Sequence, residues 1–171
     1  MSRQRTSSVL NQASAERQTA EALYASDRLA ESRAHIEQAL ILLGRPMPKG
    51  RGRLVAGLLI QILRQVRNRI GLDRFSSRPP ETQAILLETA RAYALLGEIC
   101  ARADETWMLT FITVRRVNLC EHATLSPELI RAYRDMGALS SRFGLRTLAE
   151  VYARRAQATA RRVAETQSPA R

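Results

Sequence analysis

Two stretches forty residues apart decide how this chain is read: Glu88-Thr-Ala-Arg-Ala-Tyr-Ala-Leu-Leu-Gly-Glu-Ile-Cys100 and Glu128-Leu-Ile-Arg-Ala-Tyr-Arg-Asp-Met-Gly-Ala-Leu-Ser140. Glu88, Arg91, Ala92, Tyr93 and Gly97 recur as Glu128, Arg131, Ala132, Tyr133 and Gly137, while Met136 answers Leu96 and Leu139 answers Ile99. A second amphipathic segment follows each copy. Repetition of a helix–turn–helix unit predicts an α-helical array in which each unit buries its apolar face against its neighbour.

The rest of the chain agrees with an all-α fold. Its 171 residues suffice for one domain with a core. Ala, Leu and Arg, all good helix formers, dominate, and no alternating apolar run suggests a strand. The expectation is an antiparallel helix-pair array of about seven helices over residues 11–165, with flexible ends at 1–10 and 166–171. Asp27 is read as an N-cap, and the following helix carries Leu29, Ser32, Ile36, Ala39, Leu40 and Leu43 on one face. Gly44, Pro46 and Pro48 stop it. Helices are expected near 54–70, 81–102 and 105–122, the third with Trp107, Phe111, Val114 and Val117 on one face. Ser126-Pro127-Glu128 reads as a helix start, and Gly144 divides the final pair. Glycine inside a helix costs about 1 kcal/mol relative to alanine, so Gly97 and Gly137 suggest close approach by a neighbouring helix.

Charge singles out the middle. The net charge is +11, and residues 45–78 hold nine basic residues against Asp73 alone. Leu54, Val55, Leu58, Leu59, Ile62, Leu63, Val66 and Ile70 give helix 54–70 a wide apolar stripe that is expected to face the core, leaving its arginines in water.

Asp27–Leu40 resembles the second helix of a tetratricopeptide unit, with small Ser32 and Ala39 around Ile36. Tyr93, Leu96, Gly97 and Cys100 resemble a first helix, as do Tyr133, Met136 and Gly137; Ala149 and Ala156 match a second. The spacing is forty rather than thirty-four, and Leu109, Thr113 and Arg116 miss the usual small–large–small pattern. The order Gly44-Arg-Pro-Met-Pro48, the Arg-flanked helix, Arg74-Phe75, the Tyr93 unit, Val117–Ala123 and Ser126–Leu129 covers most of the chain. It resembles the tetratricopeptide-like helical C-terminal region of bacterial signalling proteins that join a class III adenylate/guanylate cyclase domain to an AAA-type ATPase module. That resemblance implies a regulatory, protein-binding module; the family's enzymatic domains are not in this sequence. It also implies a groove between first helices, with Arg91, Tyr93, Arg131, Tyr133 and Arg134 as candidate partner-binding residues and Tyr93 and Tyr133 equally suited to the core.

Local motifs for chemistry are missing. Lys49, the sole lysine, sits between Pro48 and Gly50, which excludes a P-loop. On a helix Cys120 and His122 diverge by about 200° and cannot chelate one metal. Glu31 and His35 lie one turn apart and read as a surface pair. Cys100 and Cys120 fit buried thiols in a reducing compartment. The expectation is a cytoplasmic, non-catalytic protein-interaction module with no cofactor or metal. No apolar region follows Arg3 and Arg5, so no secretory signal is read, and no segment has the length of a membrane span. Without a polar capping helix before residue 12, a fragment of a longer array is a further reading. The alternative function is nucleic-acid binding through segment 45–78, using the basic patch Arg51, Arg53, Arg64, Arg67 and Arg69.

Overall fold

The computed structural model describes residues 2–69 and 79–167; the side chains of residues 2, 3, 51, 66–69 and 167 fall outside that description. Among the described residues the chain forms seven helices: α1 (Ser2–Ala25), α2 (Leu29–Leu42), α3 (Arg51–Arg69), α4 (Pro80–Arg102), α5 (Thr106–Glu121), α6 (Pro127–Arg142) and α7 (Arg146–Gln167). The all-α array is thus observed. Helix α1 begins ten residues before the expected start at Gln12 and runs through the polar segment.

Three antiparallel pairs, α1/α2, α4/α5 and α6/α7, make the array, and α3 packs on α5. Side-chain contacts close the first and last pairs. Ser32 is fully buried and its hydroxyl donates to the Ala20 carbonyl at 2.7 Å. Tyr133 packs against Tyr152 with ring centroids 5.9 Å apart. The main core gathers Ile36 and Leu40 of α2, Leu58 of α3, Tyr93 and Leu96 of α4, and Phe111 and Ile112 of α5. A second core under α6 and α7 holds Val117, Leu129, Tyr133 and Tyr152. Burial pushes the Cys100 and Cys120 thiols up to about 12, Cys100 with help from the Glu105 carboxylate, so both are neutral thiols at neutral pH.

The helix-pair turns share one device: a residue of left-handed backbone follows the first helix. It is Asp27 (φ 60°), Asp104 (φ 54°) and Gly144 (φ 72°) in the three pairs. Asp27 is therefore the turn residue, and Arg28 holds the N-cap position expected for it. Ser126 does occupy the N-cap position before Pro127, though its hydroxyl makes no capping hydrogen bond.

Several sequence expectations change. Among the described side chains of α3 the buried face is narrow: Leu54, Leu58, Gln61 and Gln65; Val66 and Ile70 of the expected stripe lie outside them. Asn118 of α5 donates to the Gln61 carbonyl and side-chain oxygens, and Gln65 donates to Glu121. Four polar contacts along this seam turn the helix so that Val55, Leu59, Ile62 and Leu63 face outward, 43–69% exposed. Trp107 is 62% exposed, whereas Phe111, Val114 and Val117 of the same expected face are buried. Glu31 hydrogen-bonds with Arg28, and His35 with Glu16 at 2.6 Å, so Glu31 and His35 share only a weak Coulombic contact.

Glycine placement is also corrected. A methyl group on Gly97 would meet Ile112 at 3.6 Å, and one on Gly137 the Ala149 carbonyl at 3.6 Å, both ordinary contact distances. The close approach is at Gly57 of α3, where a methyl group would lie 3.0 Å from Phe111.

Candidate functional site

The first helices of the pairs, α1, α4 and α6, run side by side in parallel, and the repeated glutamates and arginines lie along their shared surface. Glu88 of α4 accepts from Arg17 of α1 at 2.6 Å, and its equivalent Glu128 of α6 accepts from Arg91 of α4 at 2.8 Å. The repeated Glu-x-x-Arg is therefore a ladder: the arginine of one unit reaches the glutamate of the next. Burial pushes the Glu128 carboxyl up, but the Arg91 hydrogen bond, its own backbone amide and the charges of Arg91 and Arg131 bring it below the usual value.

A second ladder ties the turns. Arg102 at the end of α4 pairs with Asp27 of the first turn at 3.1 Å, and Arg142 at the end of α6 pairs with Asp104 of the second at 2.9 Å. Arg33 of α2 adds a cross-tie to Glu105 at 2.6 Å, and this hydrogen bond is the main cause that holds the Glu105 carboxyl below its usual range.

Between these ties a groove opens. One cavity of about 500 Å³ is lined by Gly97, Glu98, Ile112, Thr113, Arg131 and Ala138, among others. A neighbouring cavity of about 440 Å³ lies among Arg17, Tyr24, Arg91, Glu98, Glu128 and Arg131. Ala94, Glu98, Arg116 and Arg131 border both, so the two cavities adjoin along the surface of α1, α4 and α6. Arg116 is held there by Asp135.

The predicted partner-binding residues divide. Arg131 is exposed and borders both cavities; Arg91 borders one but is engaged by Glu128 and Glu88. Tyr93 is fully buried, touches the first cavity from below, and donates its hydroxyl to the Arg45 carbonyl at 3.3 Å. Tyr133 is a core residue whose hydroxyl donates to Glu121, and it borders neither cavity. Arg134 is exposed and also outside the groove lining. Sequence reasoning missed Glu98 and Ala138, whose signal was their place seven residues, about two helical turns, beyond the shared Arg91 and Arg131.

Of the basic patch, Arg53 and Arg64 are exposed on α3, while the side chains of Arg51, Arg67 and Arg69 lie outside the described residues. Arg64 and Arg45 act on Arg115, which lies over the Tyr93 and Phe111 rings at 5.2 and 5.4 Å. Burial pushes Arg115 down, and the two neighbouring cations add to that effect.

Among the described residues no group of three or more His, Cys, Asp or Glu side chains is placed to hold a metal, and no helix is long and apolar enough to cross a membrane. Comparison with family models, curated proteins and solved structures finds no match for this chain.

Proposed function

We propose that this chain is a non-catalytic helical-repeat module that holds a segment of a protein partner in the groove across α1, α4 and α6. The observation that carries the reading is the pair of adjoining cavities bordered by Glu98 and Arg131, which offer both charges beside an apolar floor in the first that includes Leu109 and Ile112. Such a surface suits a peptide segment with complementary polar and apolar groups. The resemblance to the tails of cyclase/ATPase signalling proteins adds a regulatory role. A cytoplasmic location accords with the two buried free thiols.

The test is affinity capture from the native cell extract, nuclease-treated, at low and high salt. A protein that survives both, and is lost with Ala138→Trp or Arg131→Glu, is the expected result. Both residues are exposed at the groove, so the variants should keep wild-type helicity. Arg91→Glu is unsuited to this purpose because Arg91 also ties α4 to α6. Equal capture by wild type and variants would remove the groove from the function.

A second reading, nucleic-acid binding, has one observation in its favour: the gathering of Arg45, Arg64 and Arg115. It predicts that captured material vanishes with nuclease, and that binding weakens with a slope of about −0.9 in log K per neutralised duplex phosphate as salt rises.

A further inference from the structure

We infer that Arg45, Arg64 and Arg115 together form a site for the terminal phosphate of a small phosphate monoester or pyrophosphate. None of the three borders the groove cavities, so the inference stands apart from the partner reading. It shares its arginines with the nucleic-acid reading and differs in ligand, a difference that the experiment below separates.

Pairing singles the site out. Among the described side chains six arginines are buried or part-buried: Arg17, Arg33, Arg45, Arg115, Arg116 and Arg155. Four of them reach a carboxylate: Arg17 that of Glu88, Arg33 that of Glu105, Arg116 that of Asp135 and Arg155 that of Glu121. Such partners offset the cost of taking a cation out of water. Arg45 and Arg115 have no carboxylate partner among the described residues, and both are in contact with Tyr93. Arg115 lies over the Tyr93 ring at 5.2 Å, and the Tyr93 hydroxyl donates to the Arg45 carbonyl at 3.3 Å.

The fold brings Arg64 to the same place. Helices α3 and α5 run parallel, with Gly57 against Phe111, Gln61 against Asn118 and Gln65 against Glu121. Arg64 follows Gln61 by three residues, and Arg115 precedes Asn118 by three. At about 100° per residue these offsets turn the two side chains about 60° from Gln61 and Asn118 in opposite senses. On facing parallel helices, opposite senses lead to the same flank. It is the flank of Phe111, over whose ring Arg115 also lies, at 5.4 Å. The α2–α3 loop, α3 and α5 thus each contribute one cation, and the charges of Arg45 and Arg64 both act on Arg115.

Chemistry selects the ligand. Guanidinium forks match the oxygens of phosphate in pairs. A terminal phosphate brings about two negative charges and three acceptor oxygens at neutral pH, enough to engage cations that otherwise repel one another. A carboxylate brings a single charge. The Tyr93 and Phe111 rings, both buried, hold Arg115 in place by cation–π contact. Arg45 and Arg115 are part-buried and Arg64 alone is exposed, so the site is recessed. A recessed site suits a terminal phosphate better than the diesters of a continuous strand.

The experiment is isothermal titration calorimetry of the full chain with pyrophosphate and with phenyl phosphate, against sodium acetate at equal ionic strength. The expected result is saturable binding of the two phosphates and none of acetate. Arg115→Gln and Arg45→Gln should each weaken that binding by about tenfold or more, the worth of a hydrogen bond to a charged group, with helicity unchanged. Arg162→Gln, the same charge change on the exposed side of α7, should leave it intact. Absence of saturable binding would overturn the inference, as would equal binding by wild type and both variants, or acetate binding as tight as that of the phosphates. Binding of duplex DNA that depends on Arg115, with neither soluble phosphate bound, would give the cluster to the nucleic-acid reading instead.

Discussion

Glu88→Ala should destabilise the array by about 3–5 kcal/mol, because it leaves the Arg17 guanidinium buried without its main partner. The side chains of this pair are 11% and 7% exposed, so water from the cavity that Arg17 borders replaces the lost carboxylate only in part. Glu21, a turn along α1, also contacts Arg17 but is half exposed and recovers only part of the loss. For a chain of this length the melting temperature should fall by roughly 10 °C. The double variant Arg17→Met with Glu88→Leu should recover most of that stability, since two apolar side chains fill the space with no stranded charge. Thermal unfolding followed by circular dichroism reads both results. A loss no larger than that of a surface pair, at most about 1 kcal/mol, would show that the α1–α4 contact does not depend on this rung.

Gly57→Val should loosen α3 from α5, costing about 1–3 kcal/mol as an overpacked site. A methyl group at Gly57 already reaches 3.0 Å from Phe111, which is 2% exposed and enclosed by core. Much of the α3 seam otherwise rests on Gln61, Gln65 and Asn118, and the Gln65 and Asn118 side-chain oxygens are buried without a hydrogen-bond partner. Hydrogen exchange should therefore accelerate across α3 while the α4, α6 and α7 backbones stay protected. Gly97→Ala should act in the opposite direction and gain up to about 1 kcal/mol of helix propensity, since its methyl group meets Ile112 at ordinary contact distance. Unchanged exchange in α3 after Gly57→Val would mean that the Phe111 ring yields without cost.

The repeated Glu, Arg, Tyr and Gly of α4 and α6 were enough to read an array of paired helices, because a shared register forces equivalent neighbours. They did not reveal what each repeated residue does. Glu88 and Glu128 looked like ordinary first-turn or surface acids, and their partners lie 71 and 37 residues away in sequence. Periodicity placed Tyr93 and Tyr133 on a buried face without distinguishing groove edge from core. On α3 the apolar pattern suggested a wide contact, yet the buried seam follows Gln61 and Gln65, whose hydrogen bonds to α5 fix the helix rotation. A moment of hydrophobicity cannot anticipate such bonds. For the same reason Gly57, adjacent to Phe111 in space, gave no sign of its importance in the linear order.

The two ladders and the Arg33–Glu105 tie give the array ionic joints between stiff links. Apolar packing, which acid leaves intact, holds helices within pairs and contributes between them; carboxylates add the ties between pairs, and Glu16–His35 adds one within α1/α2. Glu105 and Glu128 titrate below their usual value in the folded chain. Their contribution is therefore complete above the unfolded carboxylate value, about 4.3, and is lost as pH falls through the depressed folded values. Acid should unfasten the joints before it melts the links. Small-angle scattering should record a rising radius of gyration at a pH where helicity is still native; coincident loss of both would mean that joints and links fail as one. The groove lies across such joints, so the same carboxylates that align the repeats also set its curvature.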